Sequence, residues 1–201
     1  MRGLTLGLKR VLDMVGACLL LVITSPLWLA IAWAIHRDSP GPVFFRQTRI
    51  GRHGRPFVIY KFRTMRTGSE REWRAPRPED FDGYVFQERG DTRITSVGQF
   101  LRRTSLDELP QLLNVLKGEM GLVGPRPEIP EMVALYTPEM HRRHQFRPGM
   151  TGLAQVSGRG ELATAEILLY DLIYCDDWSL GLDLKILLLT VMQVLGGQGA
   201  R

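Results

Sequence analysis

Met14–Ile35 reads MVGACLLLVITSPLWLAIAWAI, 22 residues without a charge. As one straight helix it would be about 33 Å long, enough to cross a hydrocarbon core of about 30 Å. Ser25-Pro26 stands near its middle. Pro26 cannot donate to the Val22 carbonyl, and its ring bends a helix. Arg2, Lys9 and Arg10 precede the run, while Arg37, Arg46, Arg49, Arg52 and Arg55 follow it. Positive flanks are held on the cytoplasmic side, so a segment basic at both ends is expected to enter and leave by one face. The expectation is a re-entrant helix-break-helix with arms Met14–Thr24 and Leu27–Ile35. Each arm would be about 14–17 Å long and match one leaflet. The Ser25 hydroxyl would satisfy a carbonyl freed at the break, because lipid supplies no other donor. A spanning helix and a buried core helix are the competing readings. No small-residue cleavage site follows before Arg37, so a cleavable signal is not expected.

The chain has 201 residues and a formal net charge of +5, unevenly spread. Residues 1–69 hold eleven Lys/Arg against Asp13 and Asp38, a net of +9, which leaves −4 for the rest. A basic first third suits anionic lipid, a phosphate-bearing substrate or nucleic acid. Aromatic residues do not interleave with the basic ones there, which places nucleic acid last. Cys18 and Cys175 lie far apart with no CxxC spacing. Neither a disulfide framework nor a zinc site is expected, which suits a reducing compartment. His141 and His144 share a helix face without a third ligand and are read as solvated.

Beyond the turn-rich His36–Pro42, Val43-Phe44-Phe45 and Phe57-Val58-Ile59-Tyr60 predict two short strands joined by a basic loop, Arg46–Arg55. Residues 67–93 are polar and read as a surface excursion. A short helix is expected around Val97–Arg103 and another over Leu106–Lys117. Gly121–Pro130 reads as a proline-rich loop, Pro130–Arg143 as helical, and Gly152–Gly160 as a loop. Helical periodicity returns over Glu161–Tyr174 and Leu180–Leu195; the last, with Asp183 and Lys185, is expected to be interfacial or core. The fold class is α+β, mostly helical. Residues 1–38 form the re-entrant membrane hairpin and 39–201 a small cytosolic domain with a short β-hairpin and amphipathic interfacial helices.

The acid pair Asp107-Glu108 follows Arg102-Arg103 and opens an apolar helical pattern. Ser105 followed by Glu108 matches a capping box, with Asp107 and Pro110 in the first turn. This pair is either a helix cap alone or a candidate nucleophile at an anion-binding helix start. The loops supply phosphate-type donors in Lys61, Arg63, Arg102, Arg103, Arg126, Arg147 and Arg159. Arg126 is the best of them, since Pro125 and Pro127 restrict its backbone on both sides. Pro127 and Gln155 join the substrate-binding candidates beside these cations.

With these motifs in order, the chain resembles the bacterial sugar transferases, monotopic phosphoglycosyl transferases that act on a polyprenyl phosphate carrier. The resemblance runs over nearly the whole length. Lys9-Arg10-Val11-Leu12-Asp13, Ser25-Pro26 and Tyr60-Lys61-Phe62-Arg63-Thr64-Met65 carry it through the first third. Thr104–Gln111, Asn114–Gly118, Gly124-Pro125-Arg126-Pro127, Arg147–Gly152 and Asp183-Leu184-Lys185 carry it through the rest. The length is that of the minimal catalytic form. The resemblance implies that a sugar 1-phosphate moves from a UDP-sugar to polyprenyl (undecaprenyl) phosphate, with UMP released, as the first membrane step of glycan assembly. It implies Asp107 as nucleophile of a covalent aspartyl phosphosugar, Glu108 as Mg²⁺ ligand or nucleophile-positioning group, and Lys61, Arg63 and Arg126 on phosphate or nucleotide. Asp171 and Asp183 are weaker candidates whose roles stay open. The implied location is the inner (cytoplasmic) membrane, facing the cytoplasm, on anionic headgroups. A homodimer through Leu180–Leu195 stays open.

Leu153 stands where the family usually has tryptophan, Ser157 where asparagine is common, and Cys175-Asp176-Asp177 also departs. The sugar, the glycan pathway and the carrier length are not read from the sequence. The alternative is a non-enzymatic adaptor that binds anionic lipid and whose acids only cap a helix.

Overall fold

The computed structural model describes residues 2–69, 73–85 and 90–196. The apolar run lies in α1 (Arg2–Asp38), a helix of 37 residues that continues through Pro26. The expected break therefore does not interrupt the helix. Local hydroxyls explain why: Ser25 Oγ donates to Val22 O at 2.9 Å and Thr24 Oγ1 to Leu20 O at 2.7 Å. The first is the substitution for the missing proline donor expected from the sequence. Such back-bonds accompany bending without ending the helix.

One stripe of α1 is buried at helical spacing: Lys9, Asp13, Ala17, Ile31 and Ile35, with Leu21 and Trp28 packed between them. Leu4, Leu8, Val15, Leu19, Val22 and Leu29 are exposed elsewhere on it. A helix apolar on all sides needs apolar surroundings on all sides. Both ends are fastened to the rest of the chain. Lys9 Nζ donates to Asp183 Oδ2 at 2.8 Å and to Val123 O at 3.0 Å. At the other end Asp38 accepts from Val97 N at 3.0 Å.

β1 (Phe44–Ile50) and β2 (Pro56–Phe62) form an antiparallel hairpin, with Phe44 opposite Phe62 and Ile50 opposite Pro56. The connecting loop is Gly51–Arg55, shorter than the expected Arg46–Arg55. Arg46, Gln47, Thr48 and Arg49 belong to the strand, because ladder hydrogen bonds extend it beyond the apolar residues that signal it. Phe57 and Ile59 pack with Ala17 of α1 and with Leu112 and Val115 of α3 (Gln111–Lys117). Phe62 packs with Ile31, Ile35 and Leu101, the last from α2 (Ser96–Thr104).

A second sheet was not legible in the sequence. β3 (Gly121–Val123), inside the segment read as a proline-rich loop, pairs in parallel with β4 (Gly149–Thr151), for which no element was expected. Its glycines allow the approach: a Cβ on Gly149 would lie 2.1 Å from Gly124 N, and one on Gly124 2.3 Å from Arg147 O. The helical expectation for Pro130–Arg143 reduces to α4 (Pro130–Val133) and a 3-10 segment, Met140–Gln145. Leu153–Gly158, expected as loop, forms α5. α6 (Thr164–Asp177) and α7 (Leu180–Leu195) complete the chain. The polar excursion is less peripheral than expected, since Phe81 is buried with Ile129, Met132 and Leu168.

Candidate active site

A cavity of about 370 Å³ opens between the hairpin, the end of α2, the Gly124–Pro130 loop and helices α5–α7. Strand alternation builds one wall. Phe45, Gln47 and Arg49 share a face of β1, and Lys61 lies opposite Phe45 on β2. Arg66, Arg93 and Arg102 line it from the other side.

Asp107 and Glu108 lie in this cavity, on a 3-10 turn, Leu106–Glu108, that begins directly after α2. The predicted capping box does not form. Ser105 is left-handed (φ 56°), makes no side-chain cap, and separates α2 from the turn. This kink leaves Asp107 buried and brings Glu108 Oε1 within 2.9 Å of Lys61 Nζ. The predicted helix Leu106–Lys117 is thereby split, with α3 starting at Gln111.

The two carboxyls are electrostatically unlike. Burial pushes the Asp107 carboxyl up to about 6, with Lys61 opposing and Glu108 reinforcing the shift. Burial also works against ionised Glu108, but Lys61 and then Arg126 outweigh it and hold that carboxyl below its ordinary value. So no helix cap holds Asp107 ionised; its charge rests on the neighbouring cations. Burial also lowers Arg102, which Asp107 opposes, and its Nε donates to Thr64 Oγ1 at 3.0 Å.

Arg126 lines the cavity, and Pro127 lines a small recess beside it together with Glu108 and Gln155. Gln155 also lines the main cavity, and its Oε1 is buried with no partner among the described residues. Arg49 holds the arginine-bearing loop from the front, donating to Pro127 O and Glu128 Oε1, each at 3.2 Å. Arg143 holds it from behind, donating to Arg126 O, Tyr136 Oη and Asp171 Oδ2.

Asp171 does not line the cavity; it is fully buried against Arg143, and burial pushes its carboxyl up to about 6 against the pull of that arginine. Asp183 is likewise remote, accepting from Lys9, Tyr174 Oη at 2.7 Å and Trp178 Nε1 at 3.3 Å. Arg63 turns away to Ser39 O, Pro40 O and Thr67 Oγ1. Arg147 Nε donates to Gly118 O at 2.8 Å. The side chain of Arg159 lies outside the described residues. Sequence reasoning missed Arg49, Arg66 and Arg93 as cavity residues. Arg49 was missed because it falls in the part of β1 that was read as loop, where no strand alternation was expected. Among the described residues no three acids, histidines or cysteines gather in a metal-holding group.

The chain matches a family model described as bacterial sugar transferase over residues 4–197. It is 44% identical over 192 residues to the uncharacterized sugar transferase EpsL of Bacillus subtilis, covering 96% of this chain and 89% of that protein. To the UDP-glucose:undecaprenyl-phosphate glucose-1-phosphate transferase of Caulobacter vibrioides it is 49% identical over 195 residues, covering 93% and 69%. To the Klebsiella pneumoniae protein of the same name it is 42% identical over 206 residues, covering 96% and 41%.

Proposed function

Because this chain belongs to the bacterial sugar transferase family and is a sugar-phosphate transferase, we propose that it moves a sugar 1-phosphate from a UDP-sugar to polyprenyl phosphate through Asp107. The observation that carries this reading is a buried carboxylate set among cations in one cavity. An Asp107 oxygen attacks the sugar-bearing phosphorus; the new O–P bond forms as the bond to the UMP oxygen breaks, and UMP leaves. A phosphate oxygen of the carrier then attacks the same phosphorus. The Asp107–phosphorus bond breaks, the carboxylate is restored, and polyprenyl diphosphate sugar departs. Division into two steps lets two mutually repelling anions use the site in turn. Lys61, Arg102 and Arg126 stabilise the charge that develops on the transferred phosphoryl oxygens.

Glu108 would hold Mg²⁺, which is commonly held by one or two carboxylates plus substrate phosphates. When bound, it would neutralise diphosphate charge. The Lys61–Glu108 ion pair keeps Glu108 ionised and so able to serve as that ligand.

The membrane arrangement we infer is re-entrant, with the site at the cytoplasmic face. Its support is that Lys9 and Asp38, at opposite ends of α1, both bond to the rest of the same chain. A helix crossing a core of about 30 Å would carry its ends to opposite sides.

The test is incubation with a panel of UDP-sugars and undecaprenyl phosphate, following UMP. Wild-type release is expected with at least one sugar and at least a thousandfold less with Asp107→Asn. Release that survives Asp107→Asn unchanged would sink the nucleophile assignment. Lipid binding without turnover of any nucleotide sugar would point to the adaptor.

A further inference from the structure

The cavity changes character along its length, and we propose that its limb between α5, α6 and α7 holds the first isoprene units of the acceptor. This rests on the proposed reaction and adds a subsite to it. Lys61, Arg102 and Arg126 belong to the end with the acid pair, where an anion is matched. Towards α7 the lining becomes Ala154, Leu162, Ile167 and Val194.

Gln155, whose Oε1 has no partner among the described residues, belongs to the acid-pair end, since it also lines the recess with Glu108 and Arg126. The remaining polar groups of the limb are engaged within the protein. Thr151 and Thr190 share a hydrogen bond of 2.7 Å, and Thr190 Oγ1 also bonds Ile186 O at 2.8 Å. Gln193 Nε2 donates to Val156 O at 2.8 Å. A sugar or nucleobase moved here would give up water hydrogen bonds with few groups to replace them. A hydrocarbon chain loses none and gains burial.

The limb also leads to an apolar exterior. Thr190 and Val194 are one helical turn apart on α7 and line the cavity, while Leu188, Val191, Met192 and Leu195 on the same helix are exposed. A prenyl chain whose phosphate reaches Asp107 could therefore leave the cavity along apolar surface without crossing water. The requirement is general: a lipid-linked phosphate that reacts inside a protein needs a polar seat for its head and a dry path for its tail.

The experiment uses the full chain in lipid nanodiscs. Val194→Trp and Ala154→Leu narrow the limb. Each is expected to raise the KM for polyprenyl phosphate at least tenfold. The KM for the UDP-sugar, and the rate of UMP exchange into UDP-sugar without acceptor, should stay within twofold of wild type. A rise in the donor KM instead would assign the limb to the nucleotide and overturn the proposal, as would an unchanged acceptor KM. Wild-type protein that shows turnover but no exchange would refute the two-step reaction, a separate failure. Should the variants fold poorly, the unmodified chain decides: a polyprenyl phosphate with a diazirine on its first isoprene unit should label α5–α7. Labelling confined to α1 or α3 would overturn the assignment.

Discussion

At the scale of single residues, the Asp107 carboxyl ties activity and stability to one proton. Its pKa in the folded chain is pushed up to about 6 by burial, above the ordinary value. A raised acid favours the fold while protonated, so its contribution is present below pH about 4 and is lost as pH rises through about 6. Asp107→Asn should therefore be more stable than wild type at pH 8, on the order of 1–3 kcal/mol, and the difference should vanish near pH 3. Thermal melts across pH would show it; a constant difference would contradict the buried charge. Activity should fall on the acid side with a limb near pH 6, because only the carboxylate attacks phosphorus. A limb near pH 4 in the pH–rate profile would mean that Asp107 is not desolvated in the working enzyme. The acid pair was legible from its neighbours in the sequence. Its inequality was not, because desolvation and the Lys61–Glu108 contact join residues 47 positions apart.

At the scale of elements, the small parallel sheet shows why glycine-rich segments are hard to read. Three-residue strands carry too little alternation to be recognised, and here their signal is the absence of side chains. Gly149→Ala places a Cβ 2.1 Å from the Gly124 nitrogen, so backbone must move. A loss of about 3 kcal/mol is expected, at the upper end for overpacking. Gly83→Ala is the control: nothing lies within 4 Å of its added carbon, and the change should stay within about 0.5 kcal/mol. Equal melting temperatures for the two variants would argue against the β3–β4 contact. The hairpin, by contrast, was visible at its apolar ends, and only the polar middle of β1 escaped. α7 matched its expected bounds because helical periodicity sustained over four turns is a strong signal.

For the whole molecule, the question is how a long apolar helix is joined to a basic domain. Lys9 and Asp183 form an ion pair at 2.8 Å with both side chains about nine-tenths buried. Lys9→Met should cost about 3–5 kcal/mol, since it leaves two buried carboxylates, Asp183 and the more distant Asp13, without their counter-charge. Adding Asp183→Asn should recover much of that loss; full additivity in the double-mutant cycle would show that the two groups do not interact. The inferred topology has its own check. Cysteines introduced near Arg2 and Arg52 should both react with an impermeant thiol reagent from the cytoplasmic side. Labelling from opposite sides would establish a spanning helix.

By itself, the sequence determined the apolar helix, the basic flanks, the hairpin ends, the terminal amphipathic helices and the acid pair. These depend on local composition and period, which neighbouring residues encode directly. Tertiary structure decided which cations serve the cavity. It placed Arg49, Arg66 and Arg93 there beside Lys61, Arg102 and Arg126, and committed Arg63, Arg147, Asp171 and Asp183 to bracing elsewhere. An arginine carries the same charge wherever it stands in the chain. Whether that charge meets substrate or a backbone carbonyl depends on which distant segment folds against it, and that is fixed only by packing.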